Sequence, residues 1–74
     1  MPHVNIKHFP VTLTQEKQNE LVTAVTQAVK HAFGCDEGVI SISIEPVAKE
    51  AWRERVYAPE ILDRKDLLAK SPNY

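Results

Sequence analysis

The sequence predicts an α+β fold built from one β-α-β unit with parallel strands and followed by a helical C-terminal tail. Residues 2–9 and 39–44 alternate apolar and polar side chains with the period of two that is typical of strands. Between them, apolar residues recur at three- and four-residue steps, which indicates an amphipathic helix. Two strands joined by one helix in this way are expected to be parallel, with a right-handed crossover.

The first strand is predicted to have one apolar face. Pro2, Val4, Ile6 and His8 share that face, and the residues between them point to the other side. A proline is tolerated at the first position of a strand, because no donor is lost from the interior of the ladder. Pro10 is expected to end the strand.

The helix is expected to begin after Thr12 or Thr14, since either side chain can act as the N-cap. Gly34 is suited to the C-cap. The apolar stripe of this helix is predicted to consist of Leu21, Val25, Ala28, Val29, Ala32 and Phe33. The stripe gives the helix one face that needs to be covered.

The second strand is predicted to place Ile40, Ile42 and Ile44 on one face and to end at Pro46. The remaining residues are predicted to be helical. Residues 48–57 lack glycine and proline, and Pro59 is expected to open a further helix at its first position. This tail ends near residues 71–72.

At 74 residues the chain is predicted to form a single domain, residues 1–74, with a small core. Cys35 is the only cysteine, so no disulfide can form within the chain, and no zinc-finger spacing is present. A two-stranded sheet with one helix leaves both edges and one face open. The sequence therefore predicts that the sheet is completed by self-association.

The charge balance argues against nucleic acid as the main partner. Nine basic and ten acidic residues give a net charge of −1, without a basic block. The chain contains no long apolar run, which argues against a membrane partner, and its lone thiol is typical of a cytoplasmic protein.

Pro2 raises a chemical possibility, because it follows the initiator methionine directly. Removal of Met1 would leave a chain that begins with a secondary amine. An amine that is held in an apolar site is driven toward its neutral form and can serve as a base near neutral pH. The alternative is that Pro2 only begins the strand and has no chemical role.

Four segments of the sequence together resemble the 4-oxalocrotonate tautomerase superfamily, and within it the phenylenolpyruvate-type tautomerases of bacteria. They are residues 1–7 (MPHVNIK), 13–17 (LTQEK), 40–45 (ISISIE) and 47–52 (VAKEAW). Residues 58–74 are similar to the helical tail of those proteins. No single segment is specific, but a proline that heads a β-α-β unit of this length is a rare combination.

The resemblance implies a cofactor-independent keto–enol tautomerase that acts on a 2-hydroxy-alkenoate or an arylenolpyruvate. It implies that the Pro2 nitrogen is a general acid/base and that Trp52 occupies the position of an aromatic residue lining the pocket. The family's carboxylate-binding arginines are absent, one of them from the position that Ser41 occupies here. Substrate binding is therefore expected of Arg53 or Arg55, of a lysine, or of backbone amides, unless the usual diacid is not the substrate. Ser41 is a further candidate.

Each candidate has a structural alternative. Trp52 could be a core or interface anchor. Arg53 and Arg55 could be solvated charges or ion-pair partners of Glu50 and Glu54.

Among the polar residues, Ser41 could simply belong to the polar face of its strand. His3 and Lys7 are expected on the face of the strand opposite to Pro2, and Cys35 is expected to be a bystander thiol.

Two other functions stay open on the sequence alone. One is a Pro2-dependent dehalogenase or decarboxylase on the same scaffold, and the other is a non-catalytic, self-assembling module. The tail resembles the dimeric relatives, so a homodimer is favoured over a hexamer. No metal and no cofactor is expected.

Overall fold

The computed structural model describes all 74 residues and has the predicted β-α-β order. Strand β1 (His3–His8) leads to helix α1 (Gln15–Phe33), which leads to strand β2 (Ser41–Pro46). A C-terminal helix (Arg53–Leu62) follows. Short 3₁₀ turns lie at Glu37–Val39, Lys49–Ala51 and Lys65–Leu67.

The two strands are parallel, as predicted, and their register runs from His3 opposite Ser41 to His8 opposite Pro46. One backbone hydrogen bond extends the pairing at the far end, where the Val47 N–H donates to the His8 carbonyl at 2.8 Å. The second strand begins at Ser41 and not at residue 39 as expected. The reason is the register, since β1 offers no partner for residues before Ser41. Val39 belongs to a 3₁₀ turn instead, and Ile40 follows that turn.

One face of the sheet is apolar and the other is polar. On the polar face the side chains are linked across the strands, for example by the Ser43 hydroxyl, which donates to Asn5 Oδ1 at 2.7 Å. This face also carries His3 and Lys7, as the alternation predicted. Direct cross-strand pairs of this kind help to fix the register of a sheet.

Both caps of α1 are formed by predicted residues. Thr14, and not Thr12, is the N-cap, because its Oγ1 accepts the Lys17 N–H at 3.1 Å. Gly34 ends the helix with φ 64°, a left-handed conformation that glycine adopts without a Cβ penalty, and its N–H donates to the Lys30 carbonyl. None of the helices combines the length and the apolar character that crossing a membrane requires.

The C-terminal helix is helical as expected, but Pro59 lies inside it and does not open a new helix. In an α-helix the proline ring would crowd the carbonyl four residues earlier. This segment is wound as a π-helix, in which hydrogen bonds join residues five apart, as in the 3.0 Å bond from the Asp63 N–H to the Ala58 carbonyl. Ion pairs from Lys7 to Glu60 and from Arg55 to Glu45 connect this helix to the strands.

Little of the chain is buried within one protomer. Only Val47 and Val56 are buried, and no residue of α1 is. In the predicted stripe of α1, Leu21, Val25 and Val29 are half-buried, whereas Ala28, Ala32 and Phe33 are exposed, Phe33 to 71%. The exposed large apolar side chains are Met1, Phe9, Val11, Phe33, Val39, Leu62, Leu67 and Tyr74.

The solvent-exposed area of the protomer is larger than that of a typical folded monomer of its mass. The protomer exposes 5848 Å². A folded monomer of 8.4 kDa is expected to expose about 4,600 Å². The excess of about 1,200 Å² is larger than the roughly 800 Å² that each partner buries in a standard interface. The protomer therefore has the surface of a subunit.

Candidate active site

Pro2 lies immediately before β1, half-buried, at the N-terminal end of the sheet. Its carbonyl accepts a hydrogen bond from the Ser41 N–H at 3.2 Å. The Ser41 hydroxyl is also 2.6 Å from His3 Nδ1. The register of the sheet thus brings two candidates, Pro2 and Ser41, together. Met1, the residue that precedes Pro2, is 97% exposed, so its side chain contributes almost no packing within the protomer.

Trp52 lies at the other end of the sheet, beside the residue that follows β1. Its ring meets the ring of Phe9 edge-to-face, with the centroids 5.0 Å apart and an interplanar angle of 85°. Trp52 is half-buried, and together with Phe9 and Tyr74 it lines an open cleft of ≈ 570 Å³. The Tyr74 ring packs against the Tyr57 ring, with the centroids 5.8 Å apart. This aromatic cleft (Phe9, Trp52, Tyr74) is an apolar concavity next to two cations.

The four candidate cations differ in their partners. Arg55 Nη2 is 2.7 Å from Glu45 Oε2, and Lys7 is paired with Glu60. Arg53 has no carboxylate partner, and its guanidinium lies 5.5 Å from the centroid of the Tyr57 ring. Lys49 also lacks one, and its Nζ lies 5.6 Å from the centroid of the Phe9 ring.

The candidates do not meet within one protomer. Pro2 and Ser41 are at the start of the strands, whereas Trp52 and Arg53 are near their end. The six residues of β1 separate the two groups by about 20 Å, at roughly 3.3 Å per residue. A site that contains both groups requires a second copy of the chain.

The sequence profile of one protein family, described as "Tautomerase enzyme", matches residues 2–53, which run from Pro2 to Arg53. The match covers more than half of the chain. The chain belongs to the tautomerase family. It is therefore an isomerase, and its small sheet is completed by oligomerisation.

Curated relatives of this tautomerase cover its whole length. Two proteins named "Tautomerase PptA", from Pectobacterium carotovorum subsp. carotovorum (strain PC1) and Pectobacterium atrosepticum (strain SCRI 1043), are 32% and 34% identical to it over 74 residues. A third, from Klebsiella pneumoniae (strain 342), is 34% identical. In each case the alignment covers 100% of this chain and 97% of the relative.

Sequence reasoning missed part of the surroundings of Trp52 in this tautomerase. The sequence pattern does not single out Phe9 or Tyr74, and it indicates Lys49 only as one of several lysines. Tyr74 is 22 positions from Trp52 and Phe9 is 43 positions from it, so no local pattern indicates either contact. The ion-pair alternative for Arg55 is confirmed in kind, but its partner is Glu45 and not Glu50 or Glu54.

Proposed function

We propose that this tautomerase is a cofactor-independent keto–enol tautomerase in which the Pro2 nitrogen, freed by removal of Met1, is the general acid/base. Its substrate class is a 2-hydroxy-alkenoate or an arylenolpyruvate. The observation that carries the proposal is the position of Pro2. Pro2 is half-buried at the start of the sheet, and its carbonyl accepts a hydrogen bond from the Ser41 N–H. Its nitrogen is acylated by the exposed Met1, so removal of Met1 would leave a free amine.

The chemistry needs one group that both takes and gives a proton. A free α-amino group titrates near pH 8, and apolar surroundings favour its neutral form. The neutral Pro2 amine would take the proton of the enol hydroxyl and deliver a proton to the neighbouring carbon. The enol then becomes the ketone, without a net gain or loss of protons. The rigid proline ring fixes the direction of the lone pair, which favours a productive geometry.

We propose that each site is shared by two protomers. In a two-fold dimer the N-terminal end of β1 in one protomer can lie beside the C-terminal end of β1 in the other. The site then combines Pro2 and Ser41 of one chain with Trp52 and Arg53 of its partner. Arg55 would act from the periphery, because its side chain also holds the C-terminal helix to Glu45.

We propose a dimer and not a hexamer. The polar face of the sheet carries the two ion pairs to the C-terminal helix, which suits solvent and that helix better than a further apolar contact. Sedimentation equilibrium at micromolar concentration should give twice the mass of the chain. A folded monomer would contradict self-association, and a mass six times that of the chain would contradict the dimer.

The remaining parts of the proposal concern the domain and its location. Residues 1–74 are proposed to form a single tautomerase-like domain that uses no metal and binds neither nucleic acid nor membrane. We place it in the cytoplasm, because Cys35 has no intrachain partner and a free thiol suits a reducing compartment.

The test of the proposal is blockage of the Pro2 amine. Intact-mass measurement should first show that Met1 is absent from most molecules. One residue inserted before Pro2 converts the amine into an amide and should slow the ketonisation of phenylenolpyruvate, followed by ultraviolet absorbance, by about 10²–10⁴-fold. Pro2→Ala should lose less, because it leaves a primary amine.

Two controls accompany this experiment. Pro10→Ala removes the proline at the other end of the strand and should retain the parental rate. Circular dichroism should show that every variant is folded. A blocked protein as fast as the parent would refute the role of Pro2, as would retention of Met1 in an active preparation.

A further inference from the structure

The aromatic cleft (Phe9, Trp52, Tyr74) has an apolar lining, and cations lie at its border. All three lining residues are hydrophobic, and the cleft is open to solvent. Lys49 lies over the outer ring, Phe9, while Arg53 borders a smaller adjoining cavity of ≈ 260 Å³ next to Trp52. An apolar slot bordered by cations suits a ligand that has an apolar body and an anionic end.

The charges of these two cations are not satisfied by the protein. The chain contains two ion pairs, Lys7–Glu60 and Arg55–Glu45, and neither involves Lys49 or Arg53. Each of the two instead lies about 5.5 Å from an aromatic ring centroid, a placement in which the ring attracts the cation and its N–H groups stay free to bind an anion. Arg55 is different, because its guanidinium already binds a carboxylate.

We propose that the aromatic cleft binds an aryl-substituted monocarboxylate, with the aryl ring among Phe9, Trp52 and Tyr74 and the carboxylate on Lys49 and Arg53. These two residues then do the work of the family arginines that this chain lacks. The assignment rests on the proposed function only in taking this ligand to be the tautomerase substrate. The binding itself does not require the Pro2 amine.

The main competing occupant of the cleft is a second copy of the chain, since Phe9 and Tyr74 also belong to the exposed apolar surface. The charges favour the small ligand. An apolar interface would bury Lys49 and Arg53 without partners, which is costly, whereas a carboxylate supplies a partner for both.

Trp52 is the only tryptophan, so its fluorescence reports on the cleft directly. The probe is 3-phenylpropanoate, which has no enol and cannot be turned over. It should change the fluorescence of the Met1-free protein in a saturable way. The uncharged 3-phenylpropanamide and the ringless butanoate should each bind at least about tenfold more weakly. The amide cannot pair with the cations, and butanoate cannot pack among the aromatic rings.

Lys49→Gln and Arg53→Gln remove each charge and keep an amphipathic side chain over the ring. Each should weaken the binding of 3-phenylpropanoate by about threefold to tenfold, and the double variant by more, while the binding of the amide stays unchanged. Lys65→Gln and Arg64→Gln are the matched controls on the exposed turn after the C-terminal helix and should bind as the parent does.

The outcomes separate this inference from the proposed function. Unchanged binding in the double variant overturns the inference, whatever the activity. So does a Trp52 signal that ignores all three probes and responds only to dilution of the protein, which would mean that a second copy covers the cleft. If binding depends on the charges as expected but the protein does not ketonise phenylenolpyruvate, the proposed function fails and the assignment of the cleft stands.

Discussion

Val47 offers the sharpest test of how the protomer is held together, because it is the one side chain with no exposed surface (0%). It follows β2 at the point where the chain turns toward the C-terminal helix. Its backbone is anchored separately, since its N–H donates to the His8 carbonyl. Val47→Ala should therefore remove packing and leave the ladder of the sheet intact.

The size of the effect follows from two lost methyl groups. Removal of one buried methyl, as in Ile→Val exchanges, costs about 0.5–1.5 kcal/mol, which includes the cavity that is left. Two such groups in a fully buried position give a loss of about 2 kcal/mol in the free energy of unfolding. For a domain of 60–100 residues, each kcal/mol lowers the melting temperature by about 4–8 °C.

The assay is urea denaturation followed by circular dichroism, at one fixed protein concentration because dissociation contributes to the stability of an oligomer. With an m-value near 1 kcal/mol/M, the midpoint should fall by about 2 M. Val11→Ala is the same substitution at a site that is 67% exposed in the protomer, and it should change the free energy of unfolding by less than about 0.5 kcal/mol. Equal losses in the two variants would refute the idea that the protomer has a small core of its own.

Two further predictions follow from single contacts. Thr14→Ala removes the side-chain oxygen that accepts a first-turn N–H at 3.1 Å and should lower the free energy of unfolding by about 1 kcal/mol, whereas Thr12→Ala should change it by less than about 0.5 kcal/mol. Thermal denaturation of the pair decides which threonine is the cap. Arg55→Ala breaks the ion pair with Glu45, which is half exposed, so it should cost only about 0.2–1 kcal/mol. Because Arg55 is already paired, its loss should raise KM for an arylenolpyruvate less than Arg53→Ala does, and steady-state kinetics showing the reverse order would contradict the peripheral role of Arg55.

Local patterns determined the secondary structure well where the physics is local. The alternation around Val4 and Ile6 predicted β1, and Gly34 predicted the end of α1, because side-chain period and left-handed backbone propensity act within a few residues. The wrong predictions concern positions where residues far along the chain determine the local structure. The start of β2 depends on where β1 offers a partner.

The π-helical winding through Pro59 was equally invisible in the sequence. A proline is a common first residue of a helix, so its local preference favours a helix start at that position. In the folded chain the residues on either side of Pro59 belong to one helix, which is held to the strands by Lys7–Glu60 and Arg55–Glu45. Lys7 and Glu60 are 53 positions apart in the chain, so no local pattern around Pro59 indicates this contact.

The sequence by itself determined the β-α-β unit, the family and the need for a partner, because periodicity, length and the small number of core residues are properties of the chain alone. Only the tertiary structure decided which residues can share a site. It placed Ser41 against Pro2 through the register of the sheet, and it gathered Phe9, Trp52 and Tyr74 at the opposite end. The physical reason is that a strand is a rigid spacer of about 3.3 Å per residue, so two ends of one sheet cannot meet within a single protomer.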